Sequence, residues 1–294
     1  MSLSDFSSWT CSFICNTSGS GKTRRILEGL TKFWGFYFVA ALDHNFVGVR
    51  DLQVALGDVG RYEEWTDDLR FIEGQGRGEG KKSNTHISNR AIRKVLAARV
   101  VVFKLFLQLA QKRDGSLLPD HRRIWLLFQL SSPLPRFETL HPFIRMMNCL
   151  DCASDTALTT LIGDFEDIHS KYFPQSKFVI ALDEAQQAAR LYRFSFLSCS
   201  DHSKFRSILR EIVKVFSVLE VKIVVSGTGL SLDEVEDALT SSVRKPPGQF
   251  ETFVELGMLD DPEAIMRQYI PPFILESMSG KSLQLRIREY LPGR

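Results

Sequence analysis

The stretch Gly19-Ser20-Gly21-Lys22-Thr23, inside "FICNTSGSGKTRRIL", has the residue types that hold phosphate. Glycines let backbone N–H groups close on phosphoryl oxygens, a lysine adds a cation, and the following hydroxyl is a ligand for Mg²⁺. The pattern G-x-x-x-x-G-K-[ST] calls for glycine at position 16, where this chain has Asn16. Asparagine tolerates positive φ better than most residues, so the loop entry stays feasible. Nucleotide binding is therefore assigned to Asn16, Ser18, Gly19, Ser20, Gly21, Lys22, Thr23 and Arg24. Lys22 is expected on the β- and γ-phosphates and Thr23 on the metal. The competing explanation is a chance glycine turn.

A second constellation is "FVIALDEAQ", with Asp183 and Glu184 closing an apolar run. Mg²⁺ needs a further acidic contact beside Thr23, and Asp183 suits it, directly or through water. Glu184 is then placed to take a proton from an attacking water. This requires the "FVIAL" strand to lie beside the phosphate-loop strand. A third is "VKIVVSGTGLS", in which Ser226 and Thr228 tip the strand next to the Asp-Glu strand and contact the γ-phosphate or the water. The alternative for it is a turn capping a helix near Ser231, and both can hold together. The catalytic set is thus Lys22, Glu184, Ser226 and Thr228, and the metal set Thr23 and Asp183. Cys149-x-x-Cys152 has no second pair and no close pair of histidines, so it reads as two ordinary thiols. Without an Asn-Lys-x-Asp signature, ATP is favoured over GTP. Arg190, Arg193 and Arg244 are candidates for stabilising charge in the transition state, against an ordinary surface role.

The elements that must position these groups follow from periodicity. Apolar runs at 9–15, 36–41, 177–182, 221–225 and 252–256 read as strands. Helical spacing marks 23–33, 89–113, 122–130, 143–148, 157–170 and 206–219. The run "EGQGRGEG" at 73–80 has glycine at every second position and reads as a solvated surface loop. Alternating strands and helices give an α/β fold with a mainly parallel five-stranded sheet. Residues 1–258 form the core, with a helical insertion at about 83–173, and 259–294 a partial helical lid.

The chain has 294 residues, of which 44% are hydrophobic and 24% charged, enough for a large core. A net charge of +2 gives no general basic field for nucleic acid or membrane. The cluster Arg90–Arg93–Lys94 fits a solvated helix face at least as well. Five cysteines without framework spacing point to free thiols, and no secretory signal or spanning segment is read. An intracellular location, cytoplasmic or nuclear, follows as an expectation, with no membrane partner.

The blocks "SGSGKTR", "LEGL", "WGFYF", "HRRIWLLFQL", "DEAQ", "LREIV", "VVSGTGLS", "YIPPF" and "LPGR" resemble a family of fungal P-loop ATPases, expanded in mushroom-forming fungi and described as Crinkler-like or AAA-type. The resemblance runs along nearly the whole chain. It implies an additional-strand P-loop NTPase core, ATP and Mg²⁺ as ligands, Lys22 and Thr23 on phosphate and metal, Asp183 on metal and Glu184 as base. Similar chains continue past the "GR" block, so this one reads as a fragment or a short version lacking an effector domain. No translocation segment of the kind found in true Crinklers is read, so secretion is not expected. The expected activity is Mg²⁺-dependent ATP hydrolysis gating an unknown protein or nucleic-acid partner, with a homo-oligomer as the candidate assembly. A non-hydrolysing nucleotide switch and a small-molecule kinase are the alternatives.

Overall fold

The computed structural model describes residues 11–16, 21–41, 47–130, 141–197, 205–230 and 250–253, together with isolated positions between 267 and 285. Strand β1 (Cys11–Asn16) leads through residues 17–20, which lie outside the described residues, to helix α1 (Lys22–Lys32) and strand β2 (Trp34–Val39). Helix α2 (Asp51–Val59) follows, then α3 (Gly74–Asp114), α4 (Pro119–Leu130), α5 (Pro142–Cys149) and α6 (Asp155–Tyr172). Strand β3 (Phe178–Asp183), α7 (Ala185–Arg190), the two-residue strands β4 (Phe196–Leu197) and β5 (Phe205–Arg206), α8 (Ile208–Phe216), β6 (Lys222–Thr228) and β7 (Phe250–Phe253) complete the order. The α/β class and the parallel sheet are as expected from the sequence.

Five strands form one sheet in the order β2-β3-β6-β1-β7, every pair parallel. One expectation fails here. The Asp-Glu strand β3 is not next to β1, because β6 lies between them. Strand adjacency is a long-range property that local periodicity does not carry. The expected neighbour relation between β6 and β3 does hold, with Leu182 beside Val225.

Alternation along each strand sorts side chains to two faces. Phe36, Phe38, Phe178, Ile180, Leu182, Ile223 and Val225 enter a large core with α2, α3, α5, α6 and α8. Tyr37, Val39, Val179, Ala181, Ile14 and Val224 face α1 and α4 through Ile26, Leu30 and Leu126. By the same period of two, Asp183 and Ser226 fall on the α1 side of the sheet.

Helix α3 is 41 residues long and runs through the larger core, with Val95 to Val100 buried on every side. It begins at Gly74, so the expected surface loop at 73–80 is helical instead. Two of the glycines, Gly76 and Gly80, serve packing. A Cβ at Gly80 would sit 2.9 Å from Leu69 and one at Gly76 3.1 Å from Ile72, so the first turns lie closely on the preceding segment. Cross-helix ion pairs of Arg90 with Asp155, Lys94 with Asp151 and Lys104 with Asp164 tie α3 to α5–α6. Arg90 and Lys94 are thereby neutralised rather than presented as a basic patch.

The outer margin of β2 is covered by side chains. Trp125 Nε1 and Gln129 Nε2 donate to the Gly35 carbonyl at 2.8 and 3.1 Å. Tyr37 N–H donates to Gln129 Oε1 at 2.9 Å, and Arg99 Nη1 donates to the Tyr37 carbonyl at 3.1 Å. Gln129 thus stands in for the backbone amide of a missing neighbour strand. Arg99 is fully buried and forms a two-point pair with Asp51, at 2.6 and 2.8 Å. Its guanidinium also lies over the rings of Phe38 and Phe143, at 4.6 and 4.0 Å.

Candidate functional site

The carboxyl ends of β1, β3 and β6 converge at the amino end of α1, the edge of a parallel sheet at which ligands bind. Gly21 is the residue before α1 and has φ +81, a conformation open to glycine without strain. Helix α1 carries no acidic residue in its first turn and no side-chain cap at Gly21, so none of its own side chains neutralises its positive end.

The decisive contact spans 160 residues. Thr23 Oγ1 donates to Asp183 Oδ2 at 2.6 Å, joining the Gly-Lys-Thr stretch to the Asp-Glu pair. Tyr37 Oη donates to the same oxygen at 3.0 Å, and Glu184 N–H donates to Asp183 Oδ1 at 3.0 Å. Asp183 is buried yet has three donors, the usual requirement for a buried carboxylate. Lys22 is also buried. Burial pulls its pKa below the ordinary lysine value, while Asp183 and Glu184, with a smaller part from Cys15, act in the opposite direction. The ammonium is thus partly stripped of water and held near two carboxylates that offset its charge.

Glu184 has a left-handed backbone, φ 54 and ψ 34, at the junction of β3 and α7. Non-glycine residues in that region cluster at functional turns. Gln186 donates from Nε2 to Glu184 Oε2, and its Oε1 accepts from Thr228 N–H at 2.9 Å. Ser226 is fully buried, and its hydroxyl has no hydrogen-bond partner among the described residues. One step beyond the Leu182–Val225 pair, the register sets it beside Asp183.

The structure therefore brings together Lys22, Thr23, Asp183 and Glu184, with Ser226 and Thr228 on the adjoining strand. Asn16 ends β1 opposite Thr228. Ser18, Gly19 and Ser20 lie outside the described residues, as do Arg244 and most of the lid at 259–294. Arg24 is engaged along its own helix, donating to Glu28 at 2.8 Å. Arg190 and Arg193 are exposed. Cys149 and Cys152 are exposed free thiols, and no cluster of three metal-ligating side chains occurs among the described residues. Cys11, the first residue of β1, is buried in the larger core, which pushes its thiol pKa up to about 12 and makes it inert. Two surface cavities of about 510 and 360 Å³ lie elsewhere, against the amino ends of β3 and β6 and of β2 respectively.

Sequence reading missed Tyr37. Its one signal is a hydroxyl in an otherwise apolar strand, at a position whose alternation matches that of Asp183. The oxygen set of Thr23 and Asp183, with the unpartnered Ser226 hydroxyl alongside, matches the hard ligands that Mg²⁺ prefers. Among the described residues, no helix is long and apolar enough to cross a membrane. Comparison of the chain with protein-family models, with curated proteins and with solved structures gives no match.

Proposed function

We propose that the chain binds ATP with Mg²⁺ at the carboxyl edge of the sheet and hydrolyses it, as a P-loop ATPase of the additional-strand type. The observation that carries this reading is the 2.6 Å bond between Thr23 and Asp183, side chains 160 residues apart that two independent motifs assign to one metal. The intervening strand β6, between β1 and β3, agrees with the additional-strand arrangement that the family resemblance implies.

The chain's own groups divide the work. Backbone N–H groups at the start of α1 and the Lys22 ammonium bind phosphate charge. Thr23 and Asp183 would hold Mg²⁺, which when bound neutralises charge on the phosphates. Tyr37 keeps the Asp183 carboxylate in place by its 3.0 Å bond. Glu184 accepts the proton of the attacking water, and Ser226 and Thr228 supply polar groups at the tip of β6. The downstream partner served by hydrolysis is a protein or a nucleic acid.

Titration calorimetry with ATP and Mg²⁺ on the wild type and on Lys22→Ala tests the binding half. The variant is expected to lose at least about tenfold in affinity, because a charge-assisted contact to phosphate is worth more than about 1.4 kcal/mol. Equal affinity in a folded variant refutes the assignment.

A further inference from the structure

We propose that Gln186 is a positioning residue that clips the Glu184 carboxylate to the tip of β6, so that the water-activating group and the phosphate-contacting strand move as one unit. The inference rests on the hydrolysis reading above and adds a residue and a coupling to it.

The side-chain amide of Gln186 is used at both ends. Its Nε2 donates to Glu184 Oε2, and its Oε1 accepts from Thr228 N–H at 2.9 Å. Exchanging oxygen and nitrogen would set acceptor against acceptor and donor against donor, so one orientation is fixed. Gln186 is buried, which shields both bonds from competing water. The opposite wall is Gly227, where a Cβ would stand 2.8 Å from Gln186 Oε1 and 2.6 Å from Leu230 Cδ1. Glycine at 227 is therefore what lets the clip close. The left-handed turn at Glu184 brings residue 186 of α7 back over residue 184, so the strained junction and the clip belong to one arrangement.

Ser226 and Thr228 flank Gly227 on the strand tip, and Asn16 at the end of β1 pairs with Thr228. A shift of this tip when phosphate enters is passed through Gln186 to the Glu184 side chain. Glutamine is suited to this and its near-isosteres are not. Glutamate keeps the acceptor for Thr228 but turns the donor to Glu184 into a repelling charge. Methionine keeps the shape and loses both bonds.

The test measures ATP affinity, single-turnover hydrolysis and backbone hydrogen exchange over 222–230 in four proteins: wild type, Gln186→Met, Gln186→Glu and Gly227→Ala. All three variants are expected to bind ATP within about threefold of wild type. Single-turnover rates should fall about 10–100-fold, the scale of a misplaced catalytic group. Exchange at Thr228 should quicken in Gln186→Met and Gly227→Ala but stay slow in Gln186→Glu, which retains the acceptor. A purely structural role would not split exchange from turnover in this way. Unchanged turnover in Gln186→Met beside an active wild type overturns the clip alone. Unchanged Thr228 exchange in that variant overturns it independently of any activity. A wild type that binds ATP and never turns it over overturns the hydrolysis reading and the catalytic role of the clip together.

Discussion

Replacing Arg99 by methionine keeps an unbranched, apolar stem and removes the guanidinium charge from the middle of α3. The loss can be worked out from its contacts. Asp51 is fully buried and would keep a backbone donor, Leu52 N–H at 3.0 Å, but lose both guanidinium bonds. Stranding one member of a buried pair costs about 3–5 kcal/mol. The Tyr37 carbonyl loses its 3.1 Å donor, adding about 1–3 kcal/mol. The sum, about 4–8 kcal/mol, is a large share of the whole stability of a typical domain. Neutralising the stranded carboxylate should recover much of it, so Arg99→Met with Asp51→Asn is expected to be about 2–3 kcal/mol more stable than Arg99→Met alone. Urea unfolding followed by far-ultraviolet dichroism measures all three, with Asp51→Asn closing the cycle. An Arg99→Met protein within about 1 kcal/mol of wild type, or a double variant no better than the single, would refute the buried-pair argument. Because Arg99 fixes β2 at Tyr37, and Tyr37 holds Asp183, the single variant should also weaken Mg²⁺-dependent ATP binding.

Glu184→Gln is expected to keep Mg·ATP affinity and lose about 10²–10⁴-fold in single-turnover hydrolysis, since the amide cannot take the proton; equal rates would move the base elsewhere. Asp183→Asn should shift the Mg²⁺ requirement of ATP binding to higher concentration, read from calorimetry across a Mg²⁺ series, and an unshifted series would remove Asp183 from the metal. Burial holds His141 below its ordinary value of 6.5, and its Nδ1 accepts from Phe143 N–H in the neutral form. The unfolded chain therefore binds this proton more readily, so stability is full above 6.5 and falls as the pH drops toward the folded value. Melting temperatures between about pH 7 and pH 5 should fall less steeply in His141→Asn, and equal slopes would show that another group governs the acid limb.

Local chemistry in this chain was legible, and long-range geometry only in part. The runs ending in Asn16, Asp183 and Thr228 show in the sequence because a strand buried on both faces must be apolar throughout. The adjacency of β6 and β3 was read correctly, but β6 displaced β3 from the side of β1. The start of α3 was misread because glycine opposes helix in isolation. Here the missing side chains at Gly76 and Gly80 allow close packing on Ile72 and Leu69, and that tertiary gain prevails. Tyr37, Gln129 and Arg99 act through partners between 30 and 146 residues away, beyond the reach of any local pattern. The strands β4 and β5, of two residues each, are too short to carry a period.

The side-chain cover on β2 also bears on how the protein fails. An uncovered margin of a parallel sheet is a template on which strands of other molecules can add. In this molecule the template is masked by Trp125 and Gln129 of α4, which travel with that helix rather than with the sheet. Detachment of α4 alone, with the sheet intact, would bare the Gly35 carbonyl and the Tyr37 amide and make the margin adhesive. The first step of self-association on heating is then the undocking of one helix, and a cross-link from α4 to β2 should delay clouding more than it raises the melting temperature.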